Sequence, residues 1–446
     1  WLVPHFEKML YDQALLAEVY AQAFAATGRS EFRRTAAEVA DYVLRDLASP
    51  AGGFYTAEDA DSEGEEGRFY LWARRDLDRV LGPEDAEIAA MAFGVVEAGR
   101  GSGAVDPDSG LHVLHGGRLP DWPAGRTGDA QTIEARIGSI RRRLLLARDE
   151  RPRPFKDTKV LADWNGLMIA ALAAVYRVTN EERYLRAAAA AADFVLEKMR
   201  DAEGRLFHVL TGEEARVPAF LSDHAFLVKG LVALYEAGYE PRYLEKAIEL
   251  VDRAIGLFWD KDEGGFVFSA DGEEGAGRKD LYDGAVPSGN SVMFMDLLRL
   301  ARLTARRDLE ERASRLAKAF TPEVLGHPRM YTEFLCGLDY AIGPSREVVV
   351  VGRPEAAETR GLLDTLRGTC VWDTAGLFKP TGDPERAATL ERLSPFTKDM
   401  DAGGGVAAAY VCSGGACLRP VSSAAELAEV LKNPPGLIGE RPQSRP

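Results

Sequence analysis

The sequence predicts a mainly α-helical toroid of helical hairpins followed by a small α/β domain. Three observations lead there. A helix-pair pattern recurs at constant spacing, each copy opens on an acidic or amide residue and ends on a Gly-aromatic turn, and the pattern changes after about Pro344. Hairpins that cannot bury their apolar faces alone must stack, as an open solenoid or a closed ring.

The first copy opens at Asp12, with Leu16, Val19, Tyr20, Ala23 and Phe24 as a helical stripe. Gly28 ends that helix and Ser30 can cap the next, whose stripe is Phe32, Ala36, Val39, Val43 and Leu47, before Gly52-Gly53-Phe54-Tyr55. A second copy runs from Asp163 to Gly204-Arg205-Leu206-Phe207, and a third from Asp223 to Gly264-Gly265-Phe266-Val267. Opening Asp to closing Gly spans 40, 41 and 41 residues, and the last two copies are offset by 60 at both landmarks. A fourth copy starts near Asn290. A period of about 60 exceeds the ~34–47 residues of common α-solenoids, which favours ring closure.

Between the first two copies lies an insertion, about residues 74–150. It holds helical segments at Glu84–Val95 and Thr132–Arg148, and a Gly-, Pro- and Asp-rich surface loop from Gly99 to Thr127. After the toroid (residues 1–343), residues 344–446 read as the α/β domain. Glu347 to Gly352 is a buried strand, Pro354 to Leu366 a helix, Trp372 lies in a strand candidate, Gly405 to Val411 is a strand, and Ala424 to Leu431 a closing helix. The VVVVG run lacks the G-x-G-x-x-G spacing of a dinucleotide site.

A net charge of −15 argues against nucleic-acid or anionic-membrane surfaces, and no apolar run reaches the ~20 residues of a membrane span. Four cysteines are too few for a disulfide scaffold. Cys336 and Cys370 read as buried thiols, and Cys412 and Cys417 as structural thiols that approach without needing to bond, in a cytoplasmic protein. A redox or metal pair is the alternative for these two, although their four-residue gap is not the redox C-x-x-C spacing and no His stands near for zinc. No metal and no cofactor is expected. The chain opens at Trp1 inside a motif, as a fragment would.

Five motifs stand in order: HFEKMLYDQA (5–14), DADSEGEEGRFYLW (59–72), KVLADWNGLM (159–168), DGAVPSGNS (283–291) and YVCSGGACLRPV (410–421). Together they resemble the thioredoxin-domain-containing family that includes the spermatogenesis-associated protein of mammals and its bacterial counterparts. That resemblance implies an (α/α)6 toroid similar to N-acylglucosamine 2-epimerases and six-hairpin glycosidases, preceded by a thioredoxin-like domain. The upstream domain and the first hairpin are then expected to be missing here.

Closure would gather Asp12, Asp163, Asp223 and Asn290 at one rim, beside Tyr11, Trp164 and His224. Carboxylates next to aromatic faces suit a sugar site, where acids and bases move protons and flat rings pack on C–H faces. Each Asp and Asn is equally suited to capping its helix. The similar epimerases use a histidine pair; His5 and His224, at inner-helix starts, are the candidates, and His208 is assigned no role. Asp12, Asp163 and Asp223 join them as candidate catalytic residues. Candidate substrate contacts are Glu7, Tyr11, Trp164, Asn165 and Asn290, with Lys159, Lys279 and Asp283 just before inner helices. Asp59, Asp61 and Glu63 open like a calcium loop, but Tyr70 stands where its twelfth ligand belongs. That acidic loop, with Trp72, is read as funnel lining or as a solvated turn. A cyclase needs a D-x-D-D or D-D-x-x-D cluster, which the loop lacks. The expected function is acid–base chemistry on a small sugar, as epimerase, isomerase or glycosidase. The alternative is a non-catalytic or redox-linked platform for a thioredoxin-like domain.

Overall fold

In a computed structural model the described residues are 3–96, 104–106, 110–116, 130–270, 275, 277–369 and 373–432. Cys370, Trp372 and most of the Gly99–Thr127 loop lie outside them. The chain divides into two compact units, Trp1–Met9 with Ala57–Asp157, and Leu10–Thr56 with Thr158–Pro446.

The smaller unit has its own core of Trp72, Leu77, Phe93, Ile140 and Leu144, on helices Arg74–Leu81, Pro83–Phe93 and Ala130–Asp149. A short sheet pairs Lys8–Met9 with Ala57–Glu58, and the latter with Lys156–Asp157. The acidic motif folds as a tight hairpin, Asp61–Ser62 against Glu65–Glu66. Its turn residues Glu63 and Gly64 both have positive φ, 56° and 80°, as a primed turn requires.

The larger unit is the α/α toroid. Its helices are α1 (Leu10–Thr27), α2 (Ser30–Tyr42), α3 (Ala162–Thr179), α4 (Glu182–Lys198), α5 (Leu221–Gly238), α6 (Pro241–Phe258), α7 (Gly289–Thr304), α8 (Arg307–Gly326) and α9 (Thr332–Ile342). Odd-numbered helices pack in succession, each even one behind its predecessor. Burial separates the two layers. In α3, thirteen residues from Ala162 to Tyr176 are buried, as a helix covered all round demands. In α6 the buried residues form one stripe, among them Leu244, Ala247, Val251, Ala254 and Phe258. On α1 only Leu10, Ala14, Ala17 and Ala21 are buried, while Leu16 and Val19 stand exposed.

One lysine shows that the inner row is curled. Lys229 of α5 lies 3.1 Å from Glu18 of α1 and 3.9 Å from Glu333 of α9. Those helices are two places away on either side of it. A flat row would hold α1 and α5 roughly 16–20 Å apart, further than a lysine and a glutamate can comfortably span. The row therefore bends around Lys229. Asp296 of α7 is fully buried beside it, its carboxyl pushed well above the ordinary range by burial.

The Gly-aromatic turns recur as expected. Isolated bridges close them at Ala48–Phe54, Arg200–Leu206 and Trp259–Phe266. The connection from α4 to α5 extends into a hairpin, β2 (Phe207–Thr211) with β3 (Glu214–Pro218), and β2 also pairs with β1 (Val160–Leu161) at the start of α3.

After α9 comes the α/β lobe. Strand β4 (Arg346–Gly352) lies parallel to β5 (Thr374–Pro380) and antiparallel to β6 (Ala407–Ser413), with β7 (Ala416–Cys417) at the edge. Helices α10 (Ala357–Gly368), α11 (Pro384–Leu393) and α12 (Ala424–Lys432) complete it. The sequence reading missed α11. Cysteine placement also differs from expectation. Cys412 and Cys417 stand directly opposite in the β6–β7 hairpin and are joined as a disulfide, because a two-residue turn leaves them facing each other. Cys336, expected to be buried, is exposed.

The lobe caps inner helices at their C-terminal ends. The guanidinium of Arg367 donates to Ala237 O, that of Arg386 to Tyr239 O, and the hydroxyl of Ser394 to Leu303 O. Cations and donors at this end satisfy orphan carbonyls and oppose the negative pole of the helix dipole.

Candidate functional site

Two glycines bring the N-terminal halves of α3 and α5 together. A Cβ on Gly166 would lie 2.4 Å from the Phe226 carbonyl carbon, and one on Gly230 would lie 2.6 Å from Gly166 O. Only glycine permits this approach, and it sets Asp163 and Asp223 against each other.

Asp223 is wholly buried and carries a dense set of bonds. Its Oδ1 accepts the Asp163 backbone N–H at 3.1 Å, and its Oδ2 accepts the Phe220 N–H at 2.8 Å, closing the first turn of α5. The ring Nδ1 of His208, on β2, lies 2.9 Å and 3.1 Å from the two carboxylate oxygens. Asp163 Oδ1 accepts the Trp164 N–H at 2.7 Å. One atom each from Asp163, His208 and Asp223 falls within 4.8 Å of the others. That donor set could hold a cation, but the Nδ1 lone position is already engaged by Asp223, so a proton is the simpler occupant.

Burial first, and the neighbouring Asp223 charge second, push the Asp163 carboxyl up to about 7. Burial alone would lower the His208 pKa; the hydrogen bond and charge of Asp223, with Asp163 behind it, outweigh that and raise it. The His208 side chain is 24% exposed and Asp223 0%, so solvent and any substrate meet the imidazole first. With Nδ1 fixed on Asp223, Nε2 is the ring atom left to act, the arrangement in which a carboxylate sets a histidine's tautomer.

Aromatic rings flank this group. His208 meets Phe220 edge-on at 5.2 Å, and Phe220 stacks on Phe268 at 4.9 Å. Beyond Phe268 opens a shallow cavity of ≈130 Å³, lined among others by Ser222, Asp280, Tyr282 and Ser288. On the other flank Tyr11 packs edge-on to Trp164 at 4.8 Å.

The chain is 35% identical over 464 residues to Spermatogenesis-associated protein 20 of Homo sapiens, covering 97% of this chain and 58% of that protein. It is 34% identical to the protein of the same name from Mus musculus, over the same shares. These homologues support the spermatogenesis-associated family. The chain thus spans less than two thirds of the length of these relatives. No family model matches the chain. Among solved structures, a sugar epimerase from a ruminal bacterium superposes with a TM-score of 0.43 at 10% identity, over 71% of this chain and 61% of that one. Cellobiose 2-epimerase from Bacillus thermoamylovorans gives 0.38 at 10% identity, over 96% and 88%. A D-mannose isomerase gives 0.34 at 16% identity, over 71% and 76%.

Of the residues proposed from sequence, the structure brings Asp163 and Asp223 together and gives them His208 instead of His224. His224 is buried against Phe258 of the outer layer, its Nδ1 near Phe220 O and its Nε2 without a partner, and burial lowers its pKa. His5 belongs to the smaller unit, exposed, bonded to Glu66 at 3.1 Å and Glu7 at 3.2 Å. Asp12 sits partly buried in the first turn of α1. Asn165 and Asn290 perform one job at two places. Asn165 Oδ1 accepts the Phe54 N–H and its Nδ2 donates to Phe54 O, and Asn290 does the same for Phe266. Asn290 is therefore the counterpart of Asn165, and Ser288 stands in register with Asp163. Asp283 accepts backbone N–H groups of Ser288, Glu333 and Phe334, which caps α9. Lys279 is paired with Asp260 and Glu263, and Lys159 is exposed.

In the smaller unit Trp72 is buried beneath Arg151, 4.0 Å from its ring centroid. Asp59 and Asp61 are exposed; Glu63 and Glu65 face Arg68 at 3.9 Å and 3.1 Å. The acidic loop is a solvated turn with its own counter-charges. Lys8, partly buried over the Tyr70 ring at 4.0 Å, has its pKa lowered to about 8 by burial.

His208 escaped the sequence reading because it sits in a strand, outside the helix starts that the repeat picked out. A signal was present. Four residues past each closing glycine (Gly52, Gly204 and Gly264) stand Thr56, His208 and Phe268, and only one copy has a titratable group there.

Proposed function

We propose that the toroid performs acid–base chemistry on a carbohydrate, with His208 as the proton-transferring group and Asp163–Asp223 as the carboxyl pair that tunes it. The observation that carries this is the His208 Nδ1 bond to buried Asp223 beside a second carboxyl held near neutral pH. Separation favours one class within that chemistry. Glycosidase carboxyls stand about 5–5.5 Å apart in retaining enzymes and about 6.5–9.5 Å in inverting ones, flanking a bond between them. Here one oxygen of each Asp comes within 4.8 Å of the other, and Asp223 holds both the His208 ring and the Asp163 backbone N–H, a coupled unit and not two separate arms. Proton transfer at a carbon next to a carbonyl, in an isomerase or epimerase, suits such a unit. Phe268 and Tyr282 supply the flat faces for a sugar ring, and Ser222 and Asp280 the polar partners.

The experiment is deuterium incorporation. Aldoses, ketoses and reducing disaccharides are incubated with the chain in D2O and read by NMR at the carbon next to the carbonyl. Exchange is expected with at least one sugar and lost in His208→Gln. Absence of exchange across the panel, together with no thermal stabilisation by any sugar, overturns the reading; a bound ligand at ~100-fold its Kd adds about 2.7 kcal/mol.

A further inference from the structure

We propose that Cys412 and Cys417 form a dithiol–disulfide exchange site that accepts electrons from a dithiol reductant. The argument starts from the hairpin. Ser413 pairs with Ala416, and Cys412 with Cys417, across a two-residue Gly414-Gly415 turn. Both glycines have positive φ, 58° and 81°, the primed turn that matches strand twist. In such a hairpin the pair next to the turn closes it by hydrogen bonds, and the following pair makes none, with its Cα atoms closer. Cys412 and Cys417 occupy that second pair, Cα atoms 3.9 Å apart, and the ladder resumes beyond them with Leu418 N–H donating to Val411 O at 2.9 Å.

Two consequences follow. Breaking the sulfur–sulfur bond removes no ladder hydrogen bond, and the glycine turn still holds the thiols face to face for re-oxidation. The bond closes a loop with a sequence separation of only 5, so it restrains little of the unfolded chain compared with a bridge between distant segments. Cys412 is buried, whereas Cys417 is exposed on the edge strand β7. Exposed disulfides are the ones that exchange, because an incoming thiolate can reach one sulfur in line.

The chemistry balances with a dithiol. Its thiolate attacks Cys417 Sγ, forming a mixed disulfide while the electron pair of the broken bond goes to Cys412 Sγ, which takes up a proton. The second thiolate of the reductant attacks its own sulfur in the mixed disulfide and releases Cys417 as a thiol. The chain gains two electrons and two protons, and the reductant leaves as a disulfide.

The test uses the full chain carrying Cys336→Ser and Cys370→Ser, so that only this pair can react. Native protein is treated with dithiothreitol, quenched with N-ethylmaleimide at intervals and read by mass spectrometry, with circular dichroism in parallel. The expected result is reduction of the native pair at a rate within about tenfold of that in denaturant, with unchanged circular dichroism and re-oxidation by oxidised dithiothreitol. Adding Cys412→Ser should leave Cys417 able to take one glutathione from glutathione disulfide; if that variant does not fold, the native reduction series decides alone. Reduction only after denaturation, or loss of structure on reduction, would make the bond a staple and overturn the proposal.

Discussion

His208 and Asp163 make opposite demands on pH. A histidine base must be neutral to accept a proton, and Asp223 raises its pKa. The proposed proton transfer should therefore rise with pH through a midpoint above 6.5, the ordinary histidine value. His208→Gln should cut the rate roughly 10²–10⁴-fold and remove that limb of the profile. Asp163 governs stability. Its folded carboxyl holds a proton up to about 7, against 3.8 in the unfolded chain, so its contribution is full below 3.8 and is lost as pH rises through 7. Asp163→Asn cannot ionise. At pH 8 it should be more stable than the parent by roughly 1–3 kcal/mol, and at pH 4 about equal, while exchange activity falls; urea melts at the two pH values read this directly. Legibility at this scale was uneven. Asp163 and Asp223 could be found because a helix start recurs at fixed spacing. His224 misled because neighbours in sequence on a helix face different layers, and position 224 faces Phe258. The Asn290 register was read two residues off, since an amide that clamps a turn and a carboxylate at the helix mouth look alike in one sequence.

The helical hairpin was the most readable element. Its landmarks, a helix opening and a Gly-aromatic turn, are local and repeat. What could not be read was how closely two helices approach, because that depends on pairs of glycines far apart in the chain. Gly166 and Gly230 are such a pair. Gly230→Ala would place a methyl against Gly166 O, so α3 and α5 must separate. It should destabilise by roughly 1–3 kcal/mol as an overpacked contact. It should also pull Asp163 from Asp223, so that the alkaline shift of Asp163, followed by carboxyl ¹³C NMR, collapses toward the ordinary carboxylate range. A second element-scale outcome concerns the amide clamps. Asn165→Ala leaves the Phe54 N–H and C=O buried without their partner, and the cost should be about 1–3 kcal/mol. Asn165→Asp should recover only part of this, because a carboxylate accepts from the N–H but cannot donate to the carbonyl.

Across the whole larger unit, the two ends of the inner helices are treated differently. Arginine and serine groups of the α/β lobe occupy the carbonyl ends, and Asp163 and Asp223 with His208 lie at the amide ends of α3 and α5. The lobe also buries Glu236, whose Oε1 accepts the Gly376 N–H of β5 while Arg299 pairs with its other oxygen. The sequence boundary near Pro344 marks a change of pattern, yet the lobe and the ring share one continuous core. Heating should therefore unfold ring and lobe in one transition, and calorimetry showing separate peaks for residues 344–446 and the helices would contradict this. Among the described residues no helix is long and apolar enough to cross a membrane.

Lys229 has a geometric consequence. Three helices, α1, α5 and α9, are tied to one ammonium group, so the radius of the ring is gauged by the reach of a single side chain and not by the lengths of its loops. A residue added at the Gly212 turn of β2–β3 should leave helix spacing untouched. Shortening the gauge should not. Lys229→Ala leaves the Glu18 and Glu333 carboxylates without the cation they both approach, and they relax by moving apart or by one of them taking up a proton. Hydrogen exchange should quicken in α1 and α9 together, although the two helices are more than 300 residues apart in the chain. Equal protection in the variant would mean that the curvature is carried by the interleaved apolar layers alone.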